Sequence, residues 1–117
     1  MRNITLAAMA FVVTTASPAS AQSVPDDVRC FLLSNGFAKQ ATDPKARQVA
    51  VASLTFYLGR LDGKADAATI ANTVRREGPA IDPKSAGAQM IACASRMAHA
   101  EQSIQAAINA LAPAPPK

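Results

Sequence analysis

Residues Arg47–Gly63 read RQVAVASLTFYLGRLDG and form the most continuously apolar stretch of the chain after its N-terminal segment. The stretch contains the only tyrosine, Tyr57, beside Phe56, one of four phenylalanines. Its apolar residues recur at helical spacing on two adjoining faces, interrupted by few polar residues. A helix that is apolar on nearly every side is normally surrounded by neighbours. The pattern therefore predicts a central helix against which the other helices pack.

The limits of this second helix are marked by cap residues. Asp43 is a good N-cap, and Pro44 suits the first helical position because a missing N–H costs nothing there. We expect the helix to run from Pro44 to Leu61 and to stop at Gly63 in a left-handed conformation. Gly59 and Gly63 form a G-x-x-x-G pattern, which we interpret as a close helix crossing at Gly59 and a cap at Gly63.

Similar signals define a first and a third helix. Ser23 and Asp26 resemble a capping box before a first helix from Pro25 to Lys39, which Asn35-Gly36 could end early. The apolar pattern continues through Phe37 and favours a longer or kinked helix. Asp66 is the N-cap expected for a third helix over 67–77, which Gly78-Pro79 terminates.

The fourth helix is the longest that the sequence predicts. It begins at Asp82-Pro83, repeats the start signal of the second helix, and meets no breaker except Gly87 before Pro113. Apolar residues recur along it at alternating spacings of three and four, at Met90, Cys93, Met97, Ala100, Ile104, Ala107 and Leu111. About 28 residues would span roughly 42 Å. The shorter helices cannot cover that length, so its end is expected to project or to form a homodimer.

The two ends of the chain are predicted to lie outside this domain. Residues 1–21 combine Arg2, an apolar run over 4–13 and small residues Ala19-Ser20-Ala21, the pattern of a signal peptide cleaved after Ala21. The apolar run is too short for a transmembrane helix. We expect a helical domain over 22–112, a disordered proline-rich tail over 113–117, and a periplasmic or secreted protein without a transmembrane span.

Two cysteines, Cys30 and Cys93, are present in the chain. An even cysteine count in a small exported domain indicates a disulfide, and only one pairing is available. The pair lacks C-x-x-C spacing and a nearby histidine, so we predict a structural disulfide rather than a redox centre. The sequence thus predicts an all-α fold, a small bundle of about four helices closed by one disulfide.

Several classes of function lack their sequence signatures. The chain has 12 basic and 8 acidic residues, and its basic residues are scattered, without the clustered face of a nucleic-acid-binding protein. The single histidine, His99, has no partner at metal-ligand spacing. No glycine-rich phosphate loop and no nucleophile elbow occur, and most acidic residues stand at helix starts. We predict a non-enzymatic protein with no cofactor, no metal and no catalytic residue.

Three features together suggest a family. They are Cys30 followed by Phe31-Leu32, a middle helix with Tyr57-Leu58-Gly59, and a later apolar segment ending at Cys93. Over 29–93 the chain resembles the periplasmic acid-stress chaperones of the HdeA/HdeB type. It is similar, as loosely, to Tai-type immunity proteins and to small exported alphaproteobacterial proteins of unassigned function. The first resemblance implies a binder of unfolded periplasmic proteins that leaves its own dimer at low pH.

These observations predict an exported, stress-related binding or chaperone-like protein with a protein partner. The alternative is a specific inhibitor or immunity-type protein that blocks one enzyme. Met90, Ile91 and Met97 are the candidate protein-contact residues, because methionine is common on adaptable binding surfaces. The alternative interpretation places the two methionines in the core.

Overall fold

The computed structural model describes residues 22–111, in which the backbone forms helices and no strand. In chain order the helices are α1 (Val24–Gln40), α2 (Pro44–Asp62), α3 (Ala67–Glu77) and α4 (Ala86–Leu111). The prediction of an all-α bundle of about four helices is confirmed. The signal peptide predicted over 1–21 and the tail predicted over 113–117 lie outside the described residues.

The first three helices begin where their cap residues predict. In each case a side-chain oxygen accepts a hydrogen bond from the main-chain N–H three residues further on. The donor–acceptor distances are 3.4 Å at Ser23, 2.9 Å at Asp43 and 2.8 Å at Asp66. These bonds satisfy N–H groups that have no partner within the helix. Asn35-Gly36 does not end α1, which continues to Gln40.

Two predicted helix ends are wrong. Gly63 ends α2 in a right-handed conformation (φ −81°, ψ −12°), because its N–H still bonds back to the carbonyl of Gly59 at 3.4 Å. At the start of α4, the carboxylate of Asp82 accepts from the N–H of Lys84, two residues on, at 2.9 Å. This contact closes a turn instead of capping a helix. The helix therefore starts at Ala86 and not at Pro83.

The central helix is α1, not α2. It packs against all three other helices, whereas α2 packs against α1 and α4. The core consists of buried residues from α1, α2 and α4: Val28, Cys30, Leu33, Ala50, Tyr57, Leu61, Met90, Cys93 and Met97. Helix α3 covers the remaining side of α1.

Helix α2 buries only one face, so the prediction that it is surrounded is also wrong. Ala50, Ser53, Tyr57 and Leu61 are buried at helical spacing, while apolar residues on its other side, including Leu58, stay about half exposed. A domain of this size has too few helices to cover every side of one helix. A methyl group at Gly59 would meet no atom within 4 Å, so the close crossing predicted there is absent.

Candidate functional site

The disulfide joins the central helix to the long helix. Cys30 on α1 and Cys93 on α4 are bonded, with their Cα atoms 5.5 Å apart and a sequence separation of 63. The predicted pairing is therefore present in the structure. Cys30 is one turn before Ser34 on α1, and Cys93 is one turn after Met90 on α4, so the bond fixes the antiparallel register of these two helices.

The three predicted contact residues do not share one surface. Met90 and Met97 are each only 7% exposed and belong to the core, whereas Ile91 is 70% exposed on the opposite side of α4. The two methionines therefore do not present a surface to a partner, and their placement as contact residues is corrected to the core alternative. The reason is that the seam carrying them faces α1 and α2, where Met90 lies against Ser34.

The face of α4 that carries Met90 and Met97 changes from buried to exposed along the helix. Its first half contributes Met90, Cys93 and Met97 to the core, but every residue over 101–111 is exposed. Ile104 and Leu111 of the seam, and Ile108 beside it on the same face, are 60%, 86% and 55% exposed. We refer to these three residues as the distal α4 stripe. The projection expected from the length of the helix is present, and nothing within residues 22–111 covers the stripe.

A polar cleft lies over the disulfide. Its volume is about 420 Å³, and its lining includes Asp26, Arg29, Cys30, Gln89, Cys93 and Arg96. The guanidinium of Arg96 contacts both sulfurs, with Nη2 at 2.9 Å from Cys30 Sγ and 3.5 Å from Cys93 Sγ. Arg29 forms an ion pair with Glu77, with 2.7 Å between Nη2 and Oε2. The cleft therefore brings two arginines to the side of the disulfide, with Asp26 beside them.

Beside the cleft, a carboxylate is buried with its counter-ions. Asp27 is fully buried and accepts from Arg60 Nε at 3.2 Å and from Lys64 Nζ at 2.8 Å. Neighbouring donors and acceptors orient the amide of Gln22 so that its nitrogen donates to Asp27, at 3.2 Å, and its oxygen accepts from Arg96 Nε, at 2.6 Å. These bonds satisfy a charge that would be costly to bury alone.

The core contains two further polar contacts. The hydroxyls of Ser34 and Ser53 are bonded to each other at 2.7 Å, and Tyr57 donates to the main-chain carbonyl of Cys93 at 2.7 Å. Burial raises the pKa of Tyr57 above its ordinary value of 10.0, against the opposing hydrogen bond from Arg96. Such buried, paired hydroxyls hold α1, α2 and α4 in register.

His99 is exposed, and within residues 22–111 no three histidine, cysteine or acidic side chains gather as metal ligands would. None of the helices described here is long and apolar enough to cross a bilayer.

No protein-family model, curated protein or solved structure matches the chain. The likeness to acid-stress chaperones and to immunity proteins therefore stays a prediction that rests on short motifs.

Sequence reasoning missed three groups that shape this region: Asp27, Glu77 and Arg96. Both acids looked like ordinary helix-terminal residues, yet Asp27 is buried with Arg60 and Glu77 is buried with Arg29. The only signal in the sequence was spacing. Arg96 lies three residues after Cys93, on the same face of α4, so a disulfide between the two helices brings this cation near both sulfurs.

Proposed function

We propose that this protein is a non-enzymatic, chaperone-like binding protein that contacts other proteins through the distal α4 stripe. The observation that carries the proposal is the change along one face of α4. Residues of the same seam form the core in the first half of the helix and lie open to solvent in the second half. Apolar surface placed in this way is unusual for a small monomeric domain unless another molecule covers it.

The composition of the stripe favours several clients over one partner. From residue 102 to residue 111 there is no charged side chain, so no fixed charge pattern selects a partner. The stripe also lacks Trp, Tyr and Arg, the residues that dominate highly specific interfaces. Aliphatic residues at spacings of three and four instead suit an amphipathic or unfolded apolar segment. The alternative function is that of a specific inhibitor or immunity-type protein, and the experiment below distinguishes the two.

The proposed location is the periplasm or the extracellular space. It is supported by the signal-peptide pattern over 1–21 and by the disulfide, which persists in an oxidising compartment. Intact mass of the protein recovered from the cell envelope tests the location. Cleavage after Ala21 should leave a chain that begins at Gln22, and a mass that includes residues 1–21 contradicts the proposed processing.

Two matched isoleucine variants test the binding surface. Ile104→Ser removes the first residue of the distal α4 stripe, and Ile91→Ser removes an isoleucine that is at least as exposed from another side of the same helix. Suppression of aggregation is measured by light scattering with three unrelated unfolded client proteins, at neutral and at acid pH. We expect Ile104→Ser to lose most of the suppression for every client, while Ile91→Ser stays close to wild type.

Other results of these experiments would contradict the proposal or favour the alternative function. Equal loss in both variants, or loss in Ile91→Ser alone, contradicts the assignment of the stripe. If the wild-type protein suppresses no client but captures one enzyme at fixed stoichiometry and blocks it, the inhibitor alternative is correct. Turnover of a substrate by the purified protein would contradict the non-enzymatic assignment.

A further inference from the structure

The disulfide belongs to the buried core, and one side of it forms the floor of an open cleft. Cys30 and Cys93 both line this cleft, although each residue is only 1% exposed. The volume of about 420 Å³ is within the range of small-molecule sites. The cleft is therefore large enough for a ligand of tripeptide size to lie against one side of the sulfur pair.

Arg96 changes the chemistry of the sulfur pair. Sulfur in an intact disulfide is a weak hydrogen-bond acceptor, so the contact of Nη2 with Cys30 Sγ, at 2.9 Å, gains little in the resting protein. Once that sulfur carries a negative charge, the same contact becomes a charge-assisted hydrogen bond. A neighbouring guanidinium lowers the pKa of a cysteine thiol, and a thiolate of lower pKa leaves faster in thiol–disulfide exchange.

The cleft also favours an anionic ligand. Arg29 shares its charge with Glu77 at 2.7 Å and with Asp26 at 4.0 Å. Arg96, by contrast, forms no ion pair with any carboxylate among residues 22–111; its partners there are the two sulfurs, the neutral amide of Gln22 and the hydroxyl of Tyr57. One guanidinium offers five N–H donors, so it can bind a ligand carboxylate while it retains its contact with sulfur.

We propose that this cleft binds a small anionic thiol and that the bound thiol exchanges with the Cys30–Cys93 disulfide. The ligand thiolate attacks Cys93 Sγ, where the guanidinium contact is longer, at 3.5 Å. The bond between the two protein sulfurs breaks as the mixed disulfide with Cys93 forms, and Cys30 leaves as the thiolate next to Arg96. A second thiolate of the same class then attacks the ligand sulfur, releases the ligand as its own disulfide and leaves Cys93 as a thiolate. The two protons given up by the two ligand thiols are taken up by the two protein sulfurs.

Thiol exchange at the disulfide is independent of the proposed binding of client proteins. It differs from the sequence prediction that the disulfide is structural. The C-x-x-C spacing is absent, so the chain does not carry the usual oxidoreductase signature. The structure instead places a cation of α4 on the sulfurs and opens a cleft above them. The consequence is that an anionic thiol opens the covalent link between α1 and α4.

The test compares two thiols on the oxidised full chain at neutral pH without denaturant. Reduced glutathione is the anionic probe and 2-mercaptoethanol the neutral one, and intact mass after acid quenching follows the mixed disulfide. Each rate is divided by the rate measured for the same thiol with the urea-unfolded chain. We expect the normalised rate to be about tenfold higher for glutathione, with the adduct on Cys93. Only glutathione has a carboxylate that can contact Arg96, whereas the leaving thiolate, Cys30, is the same in both reactions.

Arginine variants separate this assignment from a general opening of the fold. Arg96→Gln should abolish the preference for glutathione and Arg96→Lys should retain part of it, while Arg75→Gln, at an exposed arginine of α3, should leave it unchanged. Circular dichroism and the urea midpoint establish that each variant is folded. Equal normalised rates for the two thiols, an adduct on Cys30, no adduct in the native protein, or an unchanged preference in Arg96→Gln would each overturn the proposal.

Discussion

Replacing the buried carboxylate of Asp27 with an amide should destabilise the protein much more than the same change one residue earlier. Asp26 and Asp27 both lie in the first turn of α1 and both interact favourably with the positive end of the helix. Asp26, however, has a side chain that is 48% exposed, whereas that of Asp27 is fully buried between Arg60 and Lys64. The pair of variants therefore isolates burial from the effect of the helix dipole.

The contacts of Asp27 set the size of the effect. Removal of one member of a fully buried ion pair costs 3–5 kcal/mol, because the other charge is left without a partner. The side chains of Arg60 and Lys64 are 27% and 33% exposed and can regain water, which reduces the cost. We expect Asp27→Asn to lose about 2 kcal/mol of unfolding free energy. For Asp26→Asn, loss of the favourable dipole interaction should cost about 0.5 kcal/mol.

Urea unfolding followed by far-UV circular dichroism measures both variants in one experiment. A difference of about 1.5 kcal/mol also corresponds to roughly 6–12 °C in melting temperature for a domain of this size. If the two variants lose the same free energy to within about 0.5 kcal/mol, the buried ion pairs of Asp27 contribute nothing beyond the dipole. The reasoning from burial would then be refuted.

Three further predictions concern the disulfide and two titrating groups. Replacing Cys30 and Cys93 together by alanine should cost about 4 kcal/mol in urea unfolding, because the bond closes a loop with a sequence separation of 63; a loss under about 1 kcal/mol would contradict this. Tyr57→Phe should cost about 1 kcal/mol through the lost hydrogen bond to Cys93. Burial raises the pKa of Tyr57 in the folded state above 10.0, so the wild type should lose stability as pH rises from 10 through that higher pKa. The urea midpoint of Tyr57→Phe should not fall over the same pH range. The hydrogen bond from Arg29 lowers the pKa of Glu77 below 4.5, so the ionised Glu77 stabilises the fold above pH 4.5, and this stabilisation is lost as pH falls through the lower folded-state pKa. Glu77→Gln should therefore reduce the fall of the urea midpoint at acid pH. An unchanged fall would contradict the assignment.

The helices were predictable because their signals are local. Ser23, Asp43 and Asp66 each bond to an N–H three residues away, so the residues that start a helix are read directly from the sequence. The same logic failed at Asp82, which carries the same Asp-Pro signal but bonds two residues on. A cap residue supplies the acceptor oxygen, and the path of the chain after it decides which N–H donates to that oxygen.

The candidate surface was only partly predictable. The seam of α4 and the projection of its end followed from spacing and length. The spacing does not tell which part of the seam meets a neighbour, so it leaves Met90 and Met97 open between a contact surface and the core and does not single out Ile104. The first half of α4 lies beside α1 and α2, and the second half extends past them, which only the arrangement of the helices decides.

The sequence by itself determined the helix content, three of the helix starts and the disulfide pairing, because these depend on contacts within one turn or on a choice with one answer. Tertiary structure alone decided that α1 and not α2 is central, that Asp27 is buried with its cations, and that Arg96 lies on the sulfurs. The physical reason is that burial and charge pairing depend on residues 30 or more positions apart. Apolar spacing marks a face of a helix, but only the packed helices determine what that face meets.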